Sequence, residues 1–237
     1  MARVRYFGYS TFTIEGNKFK IAIDPGIALP NEDSIIPESD WENVDIVVVT
    51  NNNKDHVGKV LELAEKTKAI IVAHEELRES LEKDLIFYGM EPNKQISISE
   101  VDIKAISSTY GQSGGGIMSI ASTLFKKEPD VKGCIGFLIE LDERKICHLG
   151  DSILREDWED WKPDVLMVPI GKSATMTPDE AIDAVEKIKP RVIIPIHYNL
   201  PYVTSKSLKV EPQAFKKLLD DRGYDCRILS SGEQIVV

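Results

Sequence analysis

Histidine is scarce in this chain, with four in 237 residues, so chemistry that needs imidazole must fall to His56, His74, His148 or His197. Cysteine is scarcer still: Cys134, Cys147 and Cys226 are an odd set without CxxC or CxxH spacing. That argues against a disulfide framework and a structural zinc cluster, and leaves buried free thiols as the reading. No apolar run approaches the ~20 residues of a membrane span, and Met1 to Tyr6 enter a strand pattern at once. A cytoplasmic protein with no membrane partner is therefore expected. Positive charge is in deficit too, with 29 Lys and Arg against 39 Asp and Glu, a formal charge of -10 and a pI ≈ 5.0. This offers no overall basic footprint for a nucleic-acid backbone, so no nucleic-acid partner is expected. Low-complexity tracts and repeats of roughly 20 to 50 residues are absent.

What is present is an alternation of periods. With 42% hydrophobic residues, a chain of this length can bury a large core, and one domain over 1–237 is expected. Strand-like alternation runs through Arg3 to Phe7, Ser10 to Ile14 and Lys18 to Ile23, joined by short turns such as Glu15-Gly16-Asn17, which predicts an antiparallel meander. Helical spacing follows at Val57 to Lys66, Glu75 to Tyr88, Pro178 to Ile188 and Glu211 to Arg222, with Pro178 and Pro212 where a first helical turn tolerates proline. Interleaved strands and helices predict an α/β fold. The glycine-rich stretch at 111–116 reads as a loop between two halves, with the boundary near 111–117. Its glycines at 114 to 116 offer backbone N–H groups to an anion, but no P-loop lysine follows.

The chemistry-bearing residues gather after strands. Asp45-Ile46-Val47-Val48-Val49 is closed by Thr50-Asn51-Asn52-Asn53-Lys54-Asp55-His56; Lys145 to Leu149 is followed by Gly150-Asp151-Ser152; Val192-Ile193-Ile194 leads to His197. Read locally, three consecutive asparagines make a turn, since Asn tolerates left-handed backbone angles and bonds its own chain. Read together, these segments resemble the metallo-β-lactamase superfamily, whose loop reads Thr-His-x-His-x-Asp-His. More closely they resemble its branch of small metal-dependent hydrolases related to ascorbate-6-phosphate lactonase. Gly8-Tyr9-Ser10 with Ile23-Asp24-Pro25, His148-Leu149-Gly150-Asp151-Ser152, Pro169-Ile170-Gly171, Thr175 to Ala181 and Pro195-Ile196-His197-Tyr198-Asn199 carry the likeness across nearly the whole chain. Several histidines of the pattern are replaced, by Tyr9, Asn51, Asn53 and, on this alignment, Tyr110.

The resemblance implies a four-layer αββα sandwich with a metal site on one rim. It also implies that one of two metal positions has lost its ligands, at Asn51, Asn53 and Tyr110, while Asp55, His56, Asp151 and His197 keep those of the other. Carboxamide oxygen competes poorly with imidazole for zinc, and a phenol must first lose a proton near pH ~10. Two imidazoles and two carboxylates suffice for one divalent ion, zinc first, with manganese or iron(II) compatible. The function expected is hydrolysis of an ester, lactone, amide or phosphoester by water activated on that ion, with Asp55 or Asp151 free to act as general base. The alternative is a non-catalytic binding protein in which Tyr9, Asn51, Asn53 and Tyr110 form a hydrogen-bonding wall. Either way the partner is a small molecule, with Lys172, Ser173, Thr175, Tyr198 and Lys206 as further pocket candidates, and a homo-oligomer is compatible. His74 and His148 fit no ligand position and read as surface or structural residues.

Overall fold

The structure is a computed structural model that describes residues 1–26, 38–111, 131–172, 174–198 and 209–237. Ser173, Lys206, Asn199, the glycines at 114 to 116 and most of the 111–117 boundary lie outside the described residues. The chain opens with strands β1 (Arg3–Gly8), β2 (Thr11–Glu15), β3 (Lys20–Ile23) and β4 (Ile46–Val49). Two helices, α1 (Lys54–Val57) and α2 (Val60–Thr67), lead to β5 (Ile70–His74), the short α3 (Arg78–Leu81) and β6 (Phe87–Met90). Then come β7 (Gln95–Ile98), β8 (Val101–Ser107), β9 (Ile135–Leu141), β10 (Arg144–His148) and β11 (Val165–Pro169). Helix α4 (Pro178–Ile188), β12 (Val192–Ile196), α5 (Pro212–Asp220), β13 (Asp225–Cys226) and β14 (Gln234–Val236) complete it.

The strands form two seven-stranded sheets, in the orders β14-β1-β2-β3-β4-β5-β6 and β13-β12-β11-β10-β9-β8-β7. β1, β2 and β3 pair antiparallel, the expected meander, while β3 to β6 run parallel. In the second sheet β10 to β13 are parallel. Parallel strands need helices on their outer faces, and their sequences are accordingly apolar on both sides: every residue of β4, β11 and β12 is buried. One core, including Ile14, Ile46, Ile103, Phe137, Met167 and Ile194, lies between the sheets. A second joins the outer face of the second sheet to α4 and α5 through Val185, Phe215 and Leu219, and a third joins the first sheet to α2 through Val60 and Leu63. Helix, sheet, sheet and helix thus make the four layers expected. Among the described residues no helix is long and apolar enough to cross a membrane.

Local chemistry sets the helix ends. Thr177 accepts from the Glu180 N–H at 3.3 Å while Glu180 accepts from the Thr177 N–H at 2.8 Å, a capping box that starts α4 one residue before Pro178. The helical stretch expected over Glu75 to Tyr88 is shorter in the structure. Helix α3 ends after Leu81, Lys83 takes a left-handed φ of 39°, and Phe87 pairs with Ile71 on β5. Tertiary pairing of an aromatic and β-prone segment overrides its helical spacing. The stretch from Val57 is likewise split at Gly58 and Lys59 into α1 and α2.

Candidate metal centre

The rim that carries the site is the C-terminal end of the parallel strands. Asp24 follows β3, Asp55 and His56 follow β4, Asp151 follows β10 and His197 follows β12. Four of the thirteen described non-glycine residues with positive φ lie there. Tyr9, Asp24, Lys172 and His197 all have positive φ, at 51°, 46°, 63° and 55°, conformations that cost ~1–3 kcal/mol each and gather where a site over-determines its geometry. Two glycines let the loops close. A Cβ on Gly171 would lie 2.1 Å from the His197 carbonyl oxygen, and one on Gly150, at φ 64°, would lie 3.0 Å from the Ile135 carbonyl oxygen.

Four side chains from distant segments converge. His56 Nε2 lies 3.1 Å from Asp151 Oδ2 and 3.8 Å from Asp55 Oδ2; His197 Nε2 lies 3.2 Å from Asp151 Oδ1 and 3.9 Å from the same Asp55 oxygen. One ligand atom each from Asp55, His56 and His197 falls within 4.8 Å of the others. Asp151 joins by a different route, one oxygen to each imidazole. Two ligands held ~2.1 Å from an ion at the tetrahedral angle are ~3.4 Å apart, so these separations suit a divalent cation. The bare atoms agree. Asp55 Oδ2, His56 Nε2 and both Asp151 oxygens are buried without hydrogen bonds, which costs ~1–3 kcal/mol per group unless a shared cation offsets it.

Electrostatics couples the group. Burial alone would lower the His56 pKa, but Asp151 and Asp24 hold it well above its usual range; burial likewise works against the raised pKa of His197, which Asp151 sets. Burial would raise Asp151, but His197 and His56 keep its carboxyl well below the usual carboxylate range. Asp24 is the residue that sequence reasoning quoted without a role. Fully buried, it accepts from the Thr50 N–H at 2.8 Å and the Thr50 hydroxyl at 2.7 Å, and its Oδ2 lies 2.8 Å from His56 Nδ1. A neutral His56 with Nδ1–H donating to Asp24 would keep its Nε2 lone pair for an ion, which is how a carboxylate orients a metal-binding imidazole. The signal was the Asp-Pro after a buried strand, but its partner lies 32 residues away.

The asparagines part company. Asn51 is fully buried and its side-chain oxygen accepts from the Asn53 N–H at 2.8 Å, so it shapes its own turn rather than a pocket wall. Asn52 bonds Lys132 in both directions, accepting at 2.8 Å through its side chain and donating at 3.2 Å through its backbone. Burial, and then the charges of Asp151 and Asp55, raise the pKa of the Tyr110 phenol, with Asn53 acting in the opposite direction. Tyr9 accepts from the His197 N–H at 3.1 Å through its carbonyl and so buttresses a proposed ligand. Thr175 is buried and accepts from the Gly171 N–H at 3.0 Å, which closes the 171–176 turn on which Lys172 sits; Lys172 makes no ion pair among the described residues. Tyr198 packs against the second-sheet core. His148 is buried, accepting from the Gly150 N–H at 3.0 Å with Nε2 3.1 Å from the Ser10 carbonyl, and His74 bonds Glu76 and Glu91; neither faces the four. All three cysteines are free; Cys134 is only partly buried, and burial followed by Asp151 pushes its thiol up to about 11.

Comparison with known proteins agrees with this architecture. Residues 3–197 match the model of the beta-lactamase superfamily domain. A UPF0173 metal-dependent hydrolase of Pyrococcus horikoshii is 33% identical over 99% of both chains, and one of Pyrococcus abyssi is 31% identical over the same shares. Among solved structures, a metallo hydrolase from the archaeon Ignicoccus hospitalis is 25% identical with a TM-score of 0.81, covering 99% of this chain and 97% of its own. The metallo-beta-lactamase fold protein YhfI of Bacillus subtilis, 14% identical with a TM-score of 0.70 over all of both chains, shares the fold. With a dependence on divalent metal implied by the relatives and a matching cluster of bare donors on its rim, the chain belongs to the UPF0173 metal-dependent hydrolases of the beta-lactamase superfamily.

Proposed function

We propose that this protein is a hydrolase working with a single divalent ion, zinc by preference, against an ester, lactone, amide or phosphoester of a small molecule. The observation that carries the reading is asymmetry of donors. Asp55, His56 and Asp151 turn bare atoms toward one another and His197 faces them through Nε2, while the positions of a second ion are taken by a buried Asn51 whose oxygen is already bonded, by Asn53 and by a phenol whose pKa burial raises. A divalent ion held by the four supplies Lewis acidity, bringing the pKa of a water from ~15.7 toward ~7. Asp151, fixed between two imidazoles, suits a purely structural ligand. Asp55 suits a second task. It is the most exposed of the four side chains, at 12%, so it can stay off the ion, which His56, Asp151 and His197 would still hold, and take a proton from water as general base. The shared core between the two sheets supports treating 1–237 as one domain.

The test is metal content of protein purified without chelator, repeated on Asp151→Ala combined with His197→Ala. About one equivalent in the parent and none in the variant is expected. None in the parent would refute metal-dependent catalysis and favour a binding protein; two would refute the one-ion site.

A further inference from the structure

The four proposed ligands come from both sheets. Asp55 and His56 follow β4 of the first sheet, while Asp151 and His197 follow β10 and β12 of the second, so the spacing of the centre depends on how the sheets are held together at this rim. One turn of the first sheet, Tyr9-Ser10 between β1 and β2, is gripped twice from the second. The Tyr9 carbonyl accepts from the His197 N–H at 3.1 Å, and the Ser10 carbonyl lies 3.1 Å from His148 Nε2. The next residue, Thr11, donates its hydroxyl to the Asp24 carbonyl at 2.7 Å, which ties the same turn to the residue behind His56.

His148 ends β10, is fully buried, and accepts at Nδ1 from the Gly150 N–H at 3.0 Å. A ring nitrogen that accepts carries no proton, so the neutral ring has its proton on Nε2 and donates it to Ser10. One tautomer satisfies both contacts. The ring has little room to turn: Phe12 of the first sheet stands nearly perpendicular to it with centroids 5.9 Å apart, and a Cβ on Gly136 would lie 2.7 Å from the His148 carbonyl oxygen. An apolar side chain would fill this space but leave the Gly150 N–H without its acceptor, one residue before Asp151.

Resting on the reading that Asp55, His56, Asp151 and His197 hold an ion, we infer that His148 is a positioning residue of the metal centre: as an Nε2–H imidazole it locks the Asp151 loop of the second sheet to the Tyr9-Ser10 turn of the first. It acts through Gly150 on Asp151 and through the shared turn on His197. The two ligands of the second sheet are thereby set at their distance from the two of the first, although His148 itself touches no ion.

The test uses the full chain, stripped of metal and reloaded with zinc or cobalt(II). In His148→Leu both bonds are lost, and zinc affinity by chelator competition should fall about tenfold, the lower end for residues that support metal ligands from behind. The visible spectrum of the cobalt form, which reports the geometry around the ion, should shift. His148→Asn puts an acceptor near the Nδ1 position and His148→Gln a donor near the Nε2 position, so each should recover part of the loss. A folded His148→Leu protein with zinc affinity within about twofold of the parent and an unaltered cobalt spectrum would overturn the inference, because a residue that only filled space would change stability alone. Nitrogen NMR on the parent needs no variant to fold: a His148 ring with its proton on Nδ1 would overturn the inference directly. With a parental zinc content of one equivalent, either result would leave the one-ion reading standing, whereas a parent that binds no zinc would remove both.

Discussion

Asp24→Asn isolates the buried contact behind the metal loop. The substitution keeps shape and volume but replaces one carboxylate oxygen by an NH2 group. Asp24 accepts from three groups, the Thr50 N–H at 2.8 Å, the Thr50 hydroxyl at 2.7 Å and, through Oδ2, His56 Nδ1 at 2.8 Å. An amide has one acceptor oxygen; the backbone bond at Oδ1 keeps it, so the nitrogen faces His56. His56 then either loses its partner or changes tautomer, which would turn an N–H rather than a lone pair toward Asp151. Loss of such a partner typically reduces ion affinity 10- to 100-fold, about 1.4–2.7 kcal/mol. The assay is competition for zinc against a chromogenic chelator, with circular dichroism to establish that the variant is folded. A folded Asp24→Asn protein that binds zinc within about twofold of the parent would refute the claim that Asp24 sets the His56 tautomer, because the predicted effect is at least fivefold larger.

Three other outcomes follow from the same geometry. Gly171→Ala places a methyl where only 2.1 Å separates it from the His197 carbonyl oxygen, so it should lower stability by ~1–3 kcal/mol and weaken zinc binding together; a chemical denaturation curve and the chelator competition read both. His148 accepts at Nδ1 from the Gly150 N–H and sits with Nε2 against the Ser10 carbonyl, and burial lowers its pKa, so nitrogen-detected NMR should find a neutral Nε2–H ring whose titration is shifted below the ordinary one near pH ~6.5. The sign follows: the folded form binds its proton less readily than the unfolded chain, so the stability from a neutral His148 is full above pH ~6.5 and is lost as the pH falls toward the depressed value. Finally, Asn52→Gly removes the side-chain acceptor of the Lys132 N–H at 2.8 Å but keeps the backbone bond, and should cost ~0.5–1.5 kcal/mol for the bond plus up to ~1 kcal/mol of glycine entropy; Asn52→Ala separates the two.

Much of the fold was legible because it rests on local pattern. The meander of β1 to β3 shows as alternation with short turns, and α4 begins and ends where Thr177-Pro178-Asp179-Glu180 and the last apolar residue, Ile188, place it. The stretch from Glu75 to Tyr88 was misread because its second half owes its conformation to β5, a neighbour the local spacing does not reveal. At the site, the sequence pointed to strand-ending Asp55, His56, Asp151 and His197 because they stand in a recurrent pattern, and the structure places their imidazole and carboxylate atoms 3.1–3.9 Å apart.

Residue types and strand periodicity, both local properties, determined which side chains were available and which sheet ends they follow. Only the tertiary structure decided what each one meets. Asn51 turned inward to its own loop, Asn52 reached across to Lys132, and Asp24 was placed behind His56. A carboxamide can donate or accept in any direction, and a buried carboxylate takes whatever donor the packing delivers. Lys132 lies 80 residues from Asn52 and His56 32 residues from Asp24, so those contacts exist only once the chain has folded.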